Sequence, residues 1–214
     1  MFFKSLRDDI KSIKERDPAA RSCAEVLFLY SGVRALFSYR IAHWLQGKKL
    51  FFLARYISQR SRKKTGIEIH PAAKIGRGLF IDHGMGVVIG ETVEIGDYCT
   101  IYQGVTLGGT GKDKGKRHPT IGNNVMIGAG AKVLGPFTVG DYCKIAANAV
   151  VLCELPPNTT AVGVPAKIVQ RGEKKQKSDL DQIHIPDPVA QRCAHLEQRI
   201  AQLEEQLKKA NEQN

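Results

Sequence analysis

Three histidines in this chain stand beside residues that could put them to chemical use. Glu68 and His70 lie in Ile67-Glu68-Ile69-His70-Pro71, Asp82 and His83 in Ile81-Asp82-His83-Gly84, and His118 in Arg117-His118-Pro119. A carboxylate beside an imidazole fixes its tautomer and stabilises the imidazolium, which makes the histidine a better general base near neutral pH. Glu68 and His83 are fifteen residues apart, which puts them near each other on neighbouring coils if about 18 residues make one turn of a solenoid. Such a base would deprotonate an alcohol; a buried, satisfied hydrogen bond is the plainer alternative. His118 follows Lys112, Lys114, Lys116 and Arg117, whose positive field suits an anion. His70 precedes a proline at a coil corner and reads as structural, and His43 as a packed or surface helix residue. His184 and His195 lie in a linker and a tail and receive no role.

The element that must position these residues is a hexapeptide repeat. An aliphatic residue recurs every six positions at Ile69, Ile75 and Ile81, then at Ile89, Ile95, Ile101 and Leu107, and again at Ile121, Ile127, Val133, Val139, Ile145 and Val151. A small or apolar residue stands two positions before most beats, as at Ala73, Val87, Cys99, Ala131 and Cys143. A period of six fits neither an amphipathic helix nor a series of hairpins. It predicts a solenoid of short strands, with the beat residue stacked inside and glycine relieving the corner. The solenoid is expected over 66–169, with an excursion loop at 108–119 rich in glycine and lysine; solenoid insertions gather on one face and commonly carry function.

The flanks read differently. Residues 1–65 show helical spacing, with Asp17-Pro18 as a helix start and one apolar pattern from Val26 to Leu45 that Gly47 ends. A polar linker is expected at 170–188. From 189 to 210, Val189, Cys193, Leu196, Ile200, Leu203 and Leu207 form a heptad seam, hence a C-terminal helix suited to a short coiled coil or to packing on its own subunit.

Composition narrows the function classes. Apolar residues make up 43 % of 214, enough for a core. The five cysteines form no C-x-x-C pair, so neither a disulfide framework nor a thiolate zinc site is expected. With no signal-peptide pattern and no apolar run long enough for a bilayer, a cytoplasmic, non-membrane protein is expected. The net charge of +11 would suit nucleic acid, but no base-reading motif or aromatic platform accompanies it; a phosphate-bearing small molecule is an equal fit, and nucleic acid is not expected.

Several segments together resemble the serine O-acetyltransferase family, within the hexapeptide-repeat acyltransferases. They are 69–78 with Asp82-His83 behind it, Gly90-Glu91-Thr92, Val105 to Lys112, Arg117-His118-Pro119, 126–132 and 162–166. The resemblance implies a left-handed parallel β-helix, an exception to the right-handed crossover rule, and a homotrimer with sites between subunits, a dimer of trimers being left open. It implies acetyl-CoA as donor, L-serine as acceptor, O-acetyl-L-serine as a product on the way to cysteine, L-cysteine as an inhibitor at the serine site, and no metal. Carried over, His83 is the general base, Glu68 the acid that orients it, and His118 a residue of both the chemistry and the binding. Asp17, Asp82, Arg117 and His118 hold the amino acid. Gly109, Ala129 and Ala147 line the coenzyme A groove, with Lys144 and Lys167 also on the cofactor.

Four departures qualify the match. The family usually has aspartate where this chain has Glu68, so the pairing with His83 must be re-aimed. Gly84-Met85 replaces a smaller pair, and the helical region is shorter than in hexameric members. The sequence ends at Asn214 rather than at the isoleucine that enters O-acetylserine sulfhydrylase in many members, so that complex is not expected. Three other readings are an acetyltransferase acting on a sugar hydroxyl, a zinc enzyme using His70, His83 and His118, and a non-catalytic trimeric scaffold.

Overall fold

The computed structural model describes residues 2–111, 114–171, 193–194, 196–204 and 206. Four helices, α1 (Phe2–Arg16), α2 (Cys23–Leu29), α3 (Ser31–Gly47) and α4 (Phe51–Thr65), lead into fifteen short strands. The strands stack into three sheets. The first face is β1 (Glu68–Ile69), β4 (Val88–Ile89), β7 (Thr106–Gly108), β10 (Lys132–Leu134) and β13 (Val150–Val151). The second is β2 (Lys74–Ile75), β5 (Glu94–Ile95), β8 (Thr120–Ile121) and β11 (Thr138–Val139). The third is β3 (Phe80–Ile81), β6 (Thr100–Ile101), β9 (Met126–Ile127), β12 (Lys144–Ile145), β14 (Thr159–Val162) and β15 (Lys167–Arg171).

Every pairing between coils is parallel, and only β14 and β15 run antiparallel, closing the far end. Twelve of the thirteen expected beats are buried, Ile75 alone being half-buried. That is why the period of six dominates: the interior admits one aliphatic column per face and little else. Cys99 and Cys143 also point inward, their thiols donating to the Gly122 and Pro156 carbonyls at 3.0 Å each. The excursion after β7 leaves the register intact, because Glu94 before it still pairs with Thr120 after it.

A coil stacked on nothing leaves its carbonyls unpaired, and buried polar groups without partners are costly. The helices solve this at the first coil with side chains. Tyr39 donates to the Ala73 carbonyl (2.6 Å), Ser58 to Ile69 (2.7 Å), His43 Nδ1 to Pro71 (2.7 Å), and Arg40 to Gly76 (2.8 Å). Asp9 accepts from the Gly78 amide at 2.7 Å and pairs with Arg40 at 3.1 Å. Gly32 lets α3 press onto this edge, since a Cβ there would collide with the Ile81 carbonyl.

Two expectations for the helical region are corrected. Asp17-Pro18 does not start a helix: the Asp17 carboxylate accepts from the Ala19 amide at 2.8 Å in a turn. The helix starts at Cys23, capped by the Ser22 hydroxyl. The Val26–Leu45 pattern is two helices, because Tyr30 is extended between them (φ −74°, ψ 117°). At the carboxyl end, 193–194, 196–204 and 206 are helical, with Cys193, Leu196, Ile200 and Leu203 exposed. Val189, Leu207, residues 172–188, and with them His184 and His195, lie outside the described residues. Among the described residues no helix is long and apolar enough to cross a membrane.

Tyr39→Phe should lower the unfolding free energy by about 1–3 kcal/mol by leaving the Ala73 carbonyl without its donor. A denaturant titration reads this directly, and an unmoved midpoint would remove the capping role.

Candidate active site

The corner joining the third face to the first carries His83. Its backbone is left-handed (φ 55°), followed by Gly84 and Gly86 at 77° and 76°, so the chain turns sharply and lifts the imidazole off the coil, 75 % exposed on its side chain. The Ser31 hydroxyl donates to the His83 carbonyl at 3.1 Å, tying this turn to the start of α3. Asp82 lies 3.9 Å from the imidazole. Asp17 is close enough to act electrostatically on Asp82, whose carboxyl is pushed up by burial, pulled back by His83 and raised again by Asp17. Two carboxylates facing each other in a half-buried corner favour a bound cation such as an ammonium group. Tyr30 holds Asp17 through a 2.6 Å hydrogen bond, and this donation pushes its own hydroxyl up to about 12. Nothing in the spacing of the sequence singled out Tyr30; it gains this position because the α2–α3 break turns it toward the Asp17 turn.

The expected pair of Glu68 and His83 is not made in this chain. The Glu68 carboxylate is held by Arg55 at 3.4 Å and Arg62 at 3.3 Å. Those arginines are seven residues apart on α4, hence two turns apart on one face, and the helix runs directly into β1. The longer arm of glutamate is thus claimed by its own helix.

The corner joining the first face to the second carries the remaining polar residues. Arg117 forms an ion pair with Glu91, and that hydrogen bond is the main cause holding the Glu91 carboxyl below its ordinary range. His118 is buried against Gly90, where a Cβ would collide with its ring. Burial, then the neighbouring Arg117, lowers its basicity. Thr92 contacts the backbone of both Arg117 and His118 as well as the His118 ring. His70, read from sequence as structural, accepts from the Ala72 amide at 3.1 Å through Nδ1. It also lies within the electrostatic reach of Glu91 and Arg117. Beside this group opens a cavity of about 360 Å³, lined in part by Lys74, Glu91, Thr92, Glu94 and Lys116.

The residues expected to bind the cofactor divide between these places. Ala129 and Ala147 follow β9 and β12 on the His83 corner, and Lys144 and Lys167 sit on the third face beside it. Down that corner Gly104 and Gly130 repeat the left-handed turn of Gly86, with φ of 71° and 72°, which leaves no side chain at those three positions. Gly109 lies on the opposite corner against Arg117 and His118. The expected site residues therefore fall on two corners, at the two edges of the first face. Among the described residues, no group of three or more His, Cys, Asp or Glu side chains is placed to hold a metal ion.

Comparison with known proteins identifies the family. Residues 118–153 match the family model described as bacterial transferase hexapeptide (six repeats). Serine acetyltransferase of Bacillus subtilis (strain 168) is 56 % identical over 212 residues, spanning 99 % of this chain and 98 % of that protein. A solved serine acetyltransferase in complex with cysteine superposes with a TM-score of 0.83 at 45 % identity, over 86 % of this chain and 72 % of that one. A solved complex of serine acetyltransferase with CoA gives 0.75 at 45 % identity, over 78 % and 69 %. With its hexapeptide coils and near full-length identity, this chain belongs to the serine acetyltransferase family.

Proposed function

We propose that this chain transfers the acetyl group of acetyl-CoA to the hydroxyl of L-serine, giving O-acetyl-L-serine for cysteine synthesis, at sites shared between neighbours of a left-handed, trimeric β-helix. The observation that carries the reading is the division of the polar residues between two corners flanking one face. If the first face turns toward a threefold axis, the His83 corner of each chain meets the Arg117–His118 corner of the next. The character of the faces supports this orientation. The first face points Val88 and Val150 outward among Glu68, Thr106 and Lys132, with Met85 and Leu152 67 % and 56 % exposed at its edges, whereas the second face points only Lys74, Glu94, Thr120 and Thr138 outward.

Across such a seam the serine ammonium group lies between Asp17 and Asp82, and its carboxylate meets the planar fork of Arg117. His83 takes the hydroxyl proton as the oxygen attacks the thioester carbonyl. The tetrahedral intermediate then collapses, the C–S bond breaks, and His83 returns its proton to the departing thiolate. Glu68 takes no part in this step while Arg55 and Arg62 hold it. The small residues Ala129 and Ala147, with Gly109 opposite, leave room for the pantetheine arm, and Lys144 and Lys167 suit the phosphates. L-Cysteine differs from L-serine by one atom, so it fits the same seat and blocks it; a relative's complex with cysteine supports that reading.

His83→Ala should reduce turnover by about 10²–10⁴-fold, the usual worth of general-base help, with coenzyme A binding retained. Release of free thiol from acetyl-CoA measures the first and calorimetry the second; near-normal turnover would sink the assignment. Arg117→Ala should raise the KM for serine far more than it lowers kcat, in the same assay. Mixing the two variants after mild dissociation should restore thiol release, because some seams then join an intact His83 corner to an intact Arg117 corner. Failure of mixed subunits to recover any activity, with exchange verified by mass spectrometry, would place both halves within one chain.

A further inference from the structure

The hydrogen bonds around Thr92 leave His118 only one neutral form. The Thr92 hydroxyl oxygen accepts from the Arg117 amide at 3.1 Å and from the His118 amide at 3.2 Å. A threonine oxygen has two lone pairs and one proton, so with both pairs engaged by amides, the proton is what remains to be placed. It points to His118 Nδ1, 2.9 Å away. The Thr92 amide also donates to that nitrogen, at 3.3 Å. A ring nitrogen facing two donors must itself be unprotonated, so the neutral imidazole carries its hydrogen on Nε2. That nitrogen lies toward Gly90 and Gly109, two residues whose missing side chains leave room at the ring. The Thr92 backbone is pinned in turn, its carbonyl accepting from Lys116 Nζ at 2.7 Å.

We propose that Thr92 is a positioning residue that locks His118 as the Nε2–H tautomer, making it a fixed hydrogen-bond donor to the thioester oxygen as that oxygen gains negative charge, and not a second base. The role of the donor rests on the acetyl-transfer reading above; the lock does not. The two histidines of the seam then have opposite duties. His83, exposed on a strained turn, accepts a proton, while His118, buried and bonded through Nδ1, offers one that never leaves. An N–H aimed where charge develops lowers the barrier because it needs no rearrangement during the reaction.

The test is nitrogen NMR of the full-length protein with labelled histidine, assigned through a His118→Gln variant. In the unmodified protein the His118 Nδ1 resonance should fall in the pyridine-type range and Nε2 in the pyrrole-type range. Thr92→Val removes the hydroxyl but keeps the backbone donor, so it should weaken this preference and reduce kcat about tenfold, the worth of one good hydrogen bond, and raise the KM for serine as well, because the same hydroxyl holds the Arg117 amide. Thr92→Ser should restore all three. A His118 ring protonated on Nδ1 in the unmodified protein overturns the lock, whether or not Thr92→Val folds. A tautomer preference weakened in Thr92→Val without a fall in kcat overturns the donor role. A protein with the expected tautomer but no transfer from acetyl-CoA to serine overturns the function and leaves the lock standing.

Discussion

The structure depends on the narrowness of the coil interior. Strands pair at a spacing of about 4.8 Å, so each turn offers little inward room beyond a beat residue and its small companion on each face. Ile89, Ile101, Leu107, Ile127 and Val133 fill that room without leaving any measurable surface. No polar side chain large enough for catalysis fits there. Chemistry is displaced outward, to corners and edges, where the backbone turns and side chains leave the stack. His83 and His118 both stand at corners for this reason, and the long insertion sits at a corner as well.

On the proposed function, the same geometry makes one chain insufficient. Corners of a triangular prism point away from one another, so residues on different corners cannot converge on a small substrate. The groups that suit the ammonium end of an amino acid, Asp17 and Asp82, are on the His83 corner. The group that suits its carboxylate, Arg117, is on another. Each corner is incomplete for a zwitterion taken alone, yet the two are complementary in charge. The proposed seam between two copies brings these complementary corners together.

Much of this was legible before any coordinates. The beats named the interior, the glycine- and lysine-rich stretch named the excursion, and Asp82-His83 and Arg117-His118 named the polar corners. What escaped depends on contacts that cross long separations in sequence. Tyr30 reaches Asp17 only because α2 and α3 break between them. Glu68 is fifteen residues from His83 but six from Arg62, and the nearer partner with a full charge prevailed. Thr92 acts on His118 across 26 residues, through a coil register that counting could suggest only after the length of the excursion was known. His70 was set aside as a corner residue, which it is, but the corner proved to be the one that carries Arg117.

The excursion resolves a tension between stability and function in such a fold. Extra residues inside a hexapeptide would shift every later beat, turning aliphatic side chains outward and breaking the column. Placed between β7 and β8, the insertion instead leaves Ile95 stacked on Ile121, so its length and composition can vary at little cost to the coil. Its last residues, Arg117 and His118, are then brought back under control by a single hydroxyl. Thr92 belongs to the preceding coil, whose position is fixed by pairing on both sides. By accepting both amides of the returning segment it transfers the rigidity of the coil to residues that a loop would otherwise leave loose. A corner built this way can carry an insertion and still hold its imidazole in one orientation, which preorganised catalysis requires.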